Sequence, residues 1–148
     1  MEKKELINII SNVLSPIGFK RKGNSWVFND SSINKIVNLQ KSQFGNYYYI
    51  NYGYILNAIP LNDMMHIYNR VTSINIDERE EINLLLNLES NISDKEREDG
   101  LKKVLQKELV DKIQSINIED DLLEELRNRP HLNDIPLVVK QYFQLPVV

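Results

Sequence analysis

No cysteine occurs among the 148 residues, which excludes disulfides, thiolate metal sites and cysteine nucleophiles. Histidine, the usual general base near neutral pH, occurs only as His66 and His131. Long apolar runs are missing as well. The longest, Leu84 to Leu86 and Leu137 to Val139, fall far short of the ~18 residues a membrane span needs. The apolar positions after Met1 are interrupted by Asn8, Ser11 and Asn12, so no secretory leader is expected and the cytoplasm is the expected compartment. Five glycines and five prolines leave no low-complexity or linker stretch. A chain of 148 residues is expected to form one domain, 1–148, that buries about two-thirds of its unfolded surface without a covalent staple.

What is present is ordinary in amount and uneven in placement. Net charge is −3, which argues against a general nucleic-acid binder. Residues 1–75 carry eight Lys/Arg against four Asp/Glu, and residues 76–148 carry ten against seventeen. The chain is polarised, basic first and acidic later.

Leu6, Ile7, Ile10, Val13 and Leu14 have the spacing of an amphipathic helix over Lys3 to Leu14, ended by Pro16 and Gly18. Strands are predicted at Ser25 to Phe28, Ile33 to Gln40 and Tyr47 to Leu56, where apolar, β-branched and aromatic residues alternate. A fourth is predicted from His66 to Ile74, and the alternation of Ile82, Leu84, Leu86 and Leu88 favours a fifth. Ser93-Asp-Lys-Glu96 reads as a capping box. Behind it runs the apolar stripe Leu101, Val104, Leu105, Leu109, Ile113 and Ile116, with Glu98–Lys102, Asp99–Lys103 and Glu108–Lys112 as i, i+4 pairs. A further helix is predicted from near Asn117 to before Pro130. The last is capped by Asp134, with Val138, Val139, Tyr142 and Phe143 turned inward. The expectation is an α+β domain: an N-terminal helix, a four- or five-stranded, mostly antiparallel sheet, and three C-terminal helices packed on it.

Chemistry is sparse. A pairing of His66 with Asp63 would orient an imidazole, but nothing supplies a nucleophile elbow or a second metal ligand at helical spacing, so a structural histidine is the preferred reading. His131 follows Pro130 in a loop. The carboxylates at Asp77, Glu78, Glu80 and Glu81 are accounted for by helix-terminus stabilisation. Asp120, Asp121, Glu124 and Glu125 form an acidic patch suited to steering a basic partner. Gly18-Phe-Lys-Arg-Lys-Gly23 places Lys20, Arg21 and Lys22 in a basic loop that lacks Walker spacing. In Tyr47-Tyr-Tyr-Ile-Asn-Tyr-Gly-Tyr, period two divides the tyrosines between core and surface, and the inner hydroxyls are expected to find hydrogen bonds. The same phase puts Asn38, Gln40, Tyr47, Tyr49 and Asn51 on one sheet face, the best candidate for a binding surface.

Gly18-Phe-Lys-Arg-Lys-Gly-Asn-Ser-Trp26, Val37-Asn-Leu-Gln-Lys-Ser-Gln-Phe-Gly45 and Tyr48-Tyr-Ile-Asn-Tyr-Gly53 resemble, in order and spacing, the bacterial family filed as domain of unknown function 4304. The resemblance covers about Leu6 to Leu56. It implies an α+β domain, matches Arg70 to an arginine on a later strand, and carries over no catalytic residue.

The first functional expectation is a non-catalytic protein-binding module, in its most concrete form an immunity-type protein that neutralises a toxin. The second is an enzyme or small-ligand-binding protein using Gln40, Lys41, Asn51, His66 and Arg70 on the polar sheet face. The third is nucleic-acid binding through Lys20, Arg21, Lys22 and the tyrosines. No cofactor or metal is implied, the partner is expected to be another protein rather than nucleic acid or membrane, and oligomeric state is left open.

Overall fold

A computed structural model describes residues 1–147 of the chain. Helix α1, Lys3–Leu14, buries Leu6, Ile7, Ile9, Ile10 and Leu14. It runs into a 3-10 turn, Ser15–Ile17, which Gly18 terminates at φ 96° in the left-handed region. Strands β1, Lys20–Lys22, β2, Ser25–Phe28, β3, Ile33–Lys41, β4, Tyr48–Leu56, and β5, Ile67–Arg70, follow. They pair in chain order, every pair antiparallel, as a meander.

Antiparallel pairing puts directly opposed residues on the same face. The register Trp26↔Val37↔Tyr52, with Leu39↔Ile50 and Tyr54↔Ile67 beside it, defines the inner face. This face packs against α1 and the C-terminal helices in one core containing Leu6, Ile10, Leu101, Leu105, Ile113 and Leu122. The buried Trp26 donates its indole N–H to Ser11 Oγ at 3.0 Å, tying sheet to α1.

The sheet is followed by α2, Ile76–Leu86, α3, Asp94–Leu105, α4, Asp111–Gln114, α5, Glu119–Arg127, and α6, Leu137–Phe143. A π turn, Gln106–Val110, joins α3 to α4. The α+β architecture is as expected, but several elements differ from their sequence reading.

Ile82 to Leu88, expected as a strand, lies mostly in α2. Asn75 caps that helix by accepting the Glu78 N–H at 3.0 Å, and Ile82, Leu85 and Leu86 are buried at i, i+3 and i+4. The sheet therefore has its fifth strand at the other edge. Lys20 to Lys22, expected as loop, is β1, joined to β2 by a two-residue turn with Gly23 at φ 64°. The strand expected over His66 to Ile74 is confined to Ile67–Arg70. The long helix after Ser93 is interrupted by the π turn, although Leu101, Leu105, Leu109 and Ile113 are buried as expected. Ser93 Oγ accepts the Glu96 N–H at 3.1 Å. Glu98–Lys102 and Glu108–Lys112 pair at 3.5 and 2.7 Å, but Asp99 pairs back with Lys95 at 3.3 Å. Asp134 does not cap α6, where Pro136 holds the cap position; Asp134 lies 3.6 Å from Arg129. Tyr142 points outward, not inward, and donates its hydroxyl to Glu119 at 2.8 Å.

Gly53 sets the spacing of the last strand pair. A Cβ there would collide with the Ile67 carbonyl oxygen and crowd Met65 Sδ, so only glycine allows β5 and the Met65 side chain so close to β4.

Candidate functional site

The outward positions follow from the same register. Lys20↔Val27↔Ile36↔Gly53↔Tyr68 forms one row across the sheet, and Lys22↔Ser25↔Asn38↔Asn51↔Arg70 forms the next. Within the first row Ile36 and Gly53 are buried, Gly53 against Met65 Sδ, while Lys20 and Tyr68 at its two ends are exposed. The second row is polar throughout and continues to Gln40 and Tyr49, which pair with each other.

These side chains are linked rather than merely adjacent. Asn51 Nδ2 donates to Gln40 Oε1 at 2.9 Å, and Asn51 Oδ1 accepts from Arg70 Nε at 3.1 Å. The Arg70 guanidinium lies over the Tyr49 ring, 4.1 Å from its centroid. Tyr47 meets Tyr49 edge-on, centroids 5.9 Å apart at 82°. Asn38 donates to Ser25 Oγ at 3.1 Å. The result is a face whose amides and guanidinium are fixed before any partner arrives, so little side-chain entropy remains to be lost on binding. Among the outward strand positions of this face stand the cations Lys20, Lys22 and Arg70 and no carboxylate.

The structure thus brings together Asn38, Gln40, Tyr47, Tyr49, Asn51 and Arg70. Lys20 and Lys22 lie on the same face at its β1 edge, exposed. Arg21 is in the opposite phase, opposed to Trp26, with its Nε donating to the Gly23 carbonyl at 2.8 Å. Lys41 is exposed at the end of β3, opposite Tyr48.

The acidic patch divides. Asp121 Oδ2 accepts the Asn117 and Ile118 N–H groups at 2.9 and 3.2 Å and so caps α5. Glu125 is paired with Arg129 at 3.1 Å, and Arg129 also donates to Asn69 Oδ1 at 2.7 Å, bracing β5 against α5. Asp120 and Glu124 remain exposed one helical turn apart.

His66 is buried and engaged at both nitrogens. Nδ1 accepts the Leu56 N–H at 2.9 Å and Nε2 lies 2.7 Å from the Pro60 carbonyl, which fixes the tautomer protonated at Nε2 and closes the loop between β4 and β5. Asp63 does not pair with it; Asp63 accepts the Met64 N–H at 2.7 Å, and burial, then the hydrogen bond to Asp63, raises the Tyr68 pKa. His131 is exposed, its Nδ1 accepting the Asn133 N–H at 3.3 Å. Among the described residues, no three His, Asp or Glu side chains gather as a metal site, and no helix is long and apolar enough to cross a membrane.

Sequence reasoning passed over Phe44. It stands 81% exposed in the turn between β3 and β4. The signal was available, since a bulky aromatic in a Phe-Gly-Asn turn has no core to enter. Tyr68 was passed over as well; it is exposed in the outer row of β5. Tyr52 and Tyr54 are buried on the inner face, and among the described residues Arg97 Nε is the one buried side-chain polar atom without a hydrogen-bond partner.

No curated protein and no solved structure matches the chain. A family model does, over residues 10–127, from within α1 through β5 and the helices as far as the end of α5. That span carries the Arg70–Asn51–Gln40 network as well as the basic hairpin, and extends well past the stretch in which the resemblance is legible by eye. The chain belongs to the family described as domain of unknown function (DUF4304).

Proposed function

We propose that this protein is a non-catalytic protein-binding module of the bacterial cytoplasm that docks a partner on the open polar face of its sheet. The observation that carries the reading is the Arg70–Asn51–Gln40 network with Arg70 stacked on Tyr49. Arginine and tyrosine are the residues that dominate interface energetics when held rigid and surrounded by polar groups. Phe44, exposed at the adjoining turn, supplies an apolar anchor. The cations along this face, without a carboxylate among its outward strand positions, select an acidic partner surface.

The same geometry disfavours nucleic acid. A base-stacking sheet offers free aromatic faces, whereas here the Tyr49 ring is covered by Arg70 and Tyr47 abuts it edge-on. Toxin neutralisation remains the most concrete task for such a module. A toxin with an acidic contact surface would meet the sheet face, and a basic one would meet Asp120 and Glu124 on α5.

Two charge reversals separate these. The wild type, Arg70→Glu, and the double variant Asp120→Lys/Glu124→Lys are used as baits in native lysate at low and high salt. The reading requires one stoichiometric protein that salt weakens, that Arg70→Glu loses and that the α5 variant retains. Retention by Arg70→Glu, or capture of nucleic acid alone, overturns it.

A further inference from the structure

The two edges of the sheet differ. At one, β1 is three residues long and wholly Lys-Arg-Lys, the short and charged form that keeps an edge from pairing. At the other, β5 carries a single charge, on Arg70, within Ile67–Arg70. Val71 donates its N–H to the Ile50 carbonyl at 2.8 Å, so by the alternation of an antiparallel ladder Asn69 and Ile67 also turn their main-chain groups toward β4. Tyr68 and Arg70 turn theirs away from it, and no strand takes them up. Both side chains are exposed.

Beneath this edge there is room for side chains. Asn69, opposed to Tyr52 in the inner phase, borders a cleft of about 550 Å³ whose other walls include Ser73, Lys107, Glu108 and Lys112. A strand laid beside β5 would point every second side chain into this cleft and the others outward, beside Tyr68 and Arg70.

Charge selects the segment. In the cleft Lys112 pairs with Glu108 at 2.7 Å and Lys107 with Glu78 at 3.1 Å, so an inward side chain meets charges already neutralised and is best uncharged. On the outer side Arg70 gives its Nε–H to Asn51 and its plane to Tyr49, and its Nη donors lie beyond both contacts. Asp63, hydrogen-bonded to the Tyr68 side chain, puts a carboxylate near the Tyr68 end. An acidic residue of an added strand is therefore favoured beside Arg70 and disfavoured beside Tyr68. A second copy of this chain offers no such residue on β5, which holds no carboxylate.

Resting on the reading that a partner docks on this face, we propose that the partner contributes an extended segment that adds to β5 as a sixth strand. Its main chain pairs with Tyr68 and Arg70, an Asp or Glu lies beside Arg70, and an uncharged side chain enters the cleft.

The test pans a phage-displayed library of random peptides against the wild type, then titrates the enriched sequences, as synthetic peptides, into the ¹⁵N-labelled protein. Enriched sequences should carry Asp or Glu within an alternating β-branched or aromatic pattern. Isotope-filtered NOEs should join peptide main-chain protons to the Tyr68 and Arg70 amides. Tyr68→Pro removes an outward N–H that the β4 ladder does not use, so its spectrum should stay dispersed while peptide affinity falls about tenfold or more. Arg70→Glu should lose the peptides. Loss in Arg70→Glu with wild-type affinity in Tyr68→Pro, or NOEs to β3 and β4 without β5, leaves docking on the face in place and overturns the sixth strand. Binding unchanged in both variants overturns the docking reading as well. The NOEs are read in the wild type and decide the matter even where Tyr68→Pro does not fold. Failure to enrich any peptide, enrichment of sequences without a carboxylate, or concentration-dependent pairing of β5 with itself each overturns the proposal.

Discussion

Arg70 and Tyr49 lie on neighbouring strands and meet across the sheet, guanidinium over ring at 4.1 Å, with the Arg70 Nε held by Asn51. Neither side chain is needed to fill the core, since both are on the outer face. A stacked and hydrogen-bonded arginine on an exposed face is ordered at the expense of its own rotamer freedom, and binding then requires little further ordering.

Truncating either member should therefore leave folding nearly intact and weaken docking. Arg70→Ala and Tyr49→Ala are each expected to reduce partner affinity by about 2 kcal/mol or roughly 30-fold, the scale of an interface hot spot. Denaturation midpoints should change little. Isothermal titration against the captured partner, with urea unfolding of both variants, reads the two effects separately.

Asn51 connects the amide and the guanidinium, and it is nearly buried. Asn51→Ala should cost about 1–2 kcal/mol of stability, from the two hydrogen bonds lost by a nearly buried amide. The Arg70 Nε–H resonance should move toward its free position in the same variant. A midpoint and an Arg70 signal both like wild type would contradict the network.

Arg97 is 1% exposed and donates to the carbonyls of Leu84, Leu85 and Asn87 at the end of α2 and to Ser90 in the next turn. It satisfies carbonyls that the helix terminus leaves open. Arg97→Ala should destabilise by roughly 3–5 kcal/mol, as for other broken buried charge networks. Arg97→Lys should recover only part of this, because one ammonium cannot span the same carbonyls. Chemical denaturation of the pair checks both statements.

Gly53→Ala should cost at least about 3 kcal/mol, at the top of the overpacking range, because the new Cβ meets backbone oxygen rather than a movable side chain. Loss of soluble expression or a sharply lowered melting temperature is the expected result. A midpoint equal to wild type would mean that β4 and β5 are not so close.

Alkali should unfold the protein through its inner tyrosines. Burial, reinforced by the charges of Glu125 and Glu108, pushes Tyr52 from 10 up to about 12. Burial, then Tyr52, raises Tyr54 as well. For a group whose folded pKa is raised, stability is complete below the unfolded value and declines as pH climbs through the folded one. Tyr52 alone should remove about 2–3 kcal/mol between pH 10 and 12. Lys35 acts in the opposite sense: burial lowers its pKa, so its cost is relieved as pH rises toward 10.5. Urea midpoints should still fall above pH 10, and fall less steeply in Tyr52→Phe. Parallel curves would contradict this account.

Much of the site was legible because period two is a strong signal where one sheet face is buried. Tyr48, Ile50, Tyr52 and Tyr54 had to share a side, which put Tyr49 and Asn51 on the other and made Asn38 and Gln40 their neighbours. What periodicity could not supply was the partner across each strand, and so neither the Asn51–Arg70 bond nor the Arg70–Tyr49 stack. The α2 segment was misread because alternating leucines satisfy a strand template, while the deciding signal, Asn75 with Glu78 three residues on, lay outside the window. Strand β1 carries only Lys-Arg-Lys and takes its structure from pairing with β2, so it has no apolar pattern to read. The π turn leaves the apolar stripe in place and is equally silent in sequence.

Hydrogen exchange on the complex with the captured partner addresses the central claim most directly. Docking on the open sheet face predicts slowed exchange in residues 38–51 and 67–71, spanning the β3–β4 turn and β5, with α5 unchanged. Protection confined to α5, or spread without focus on those strands, would contradict it.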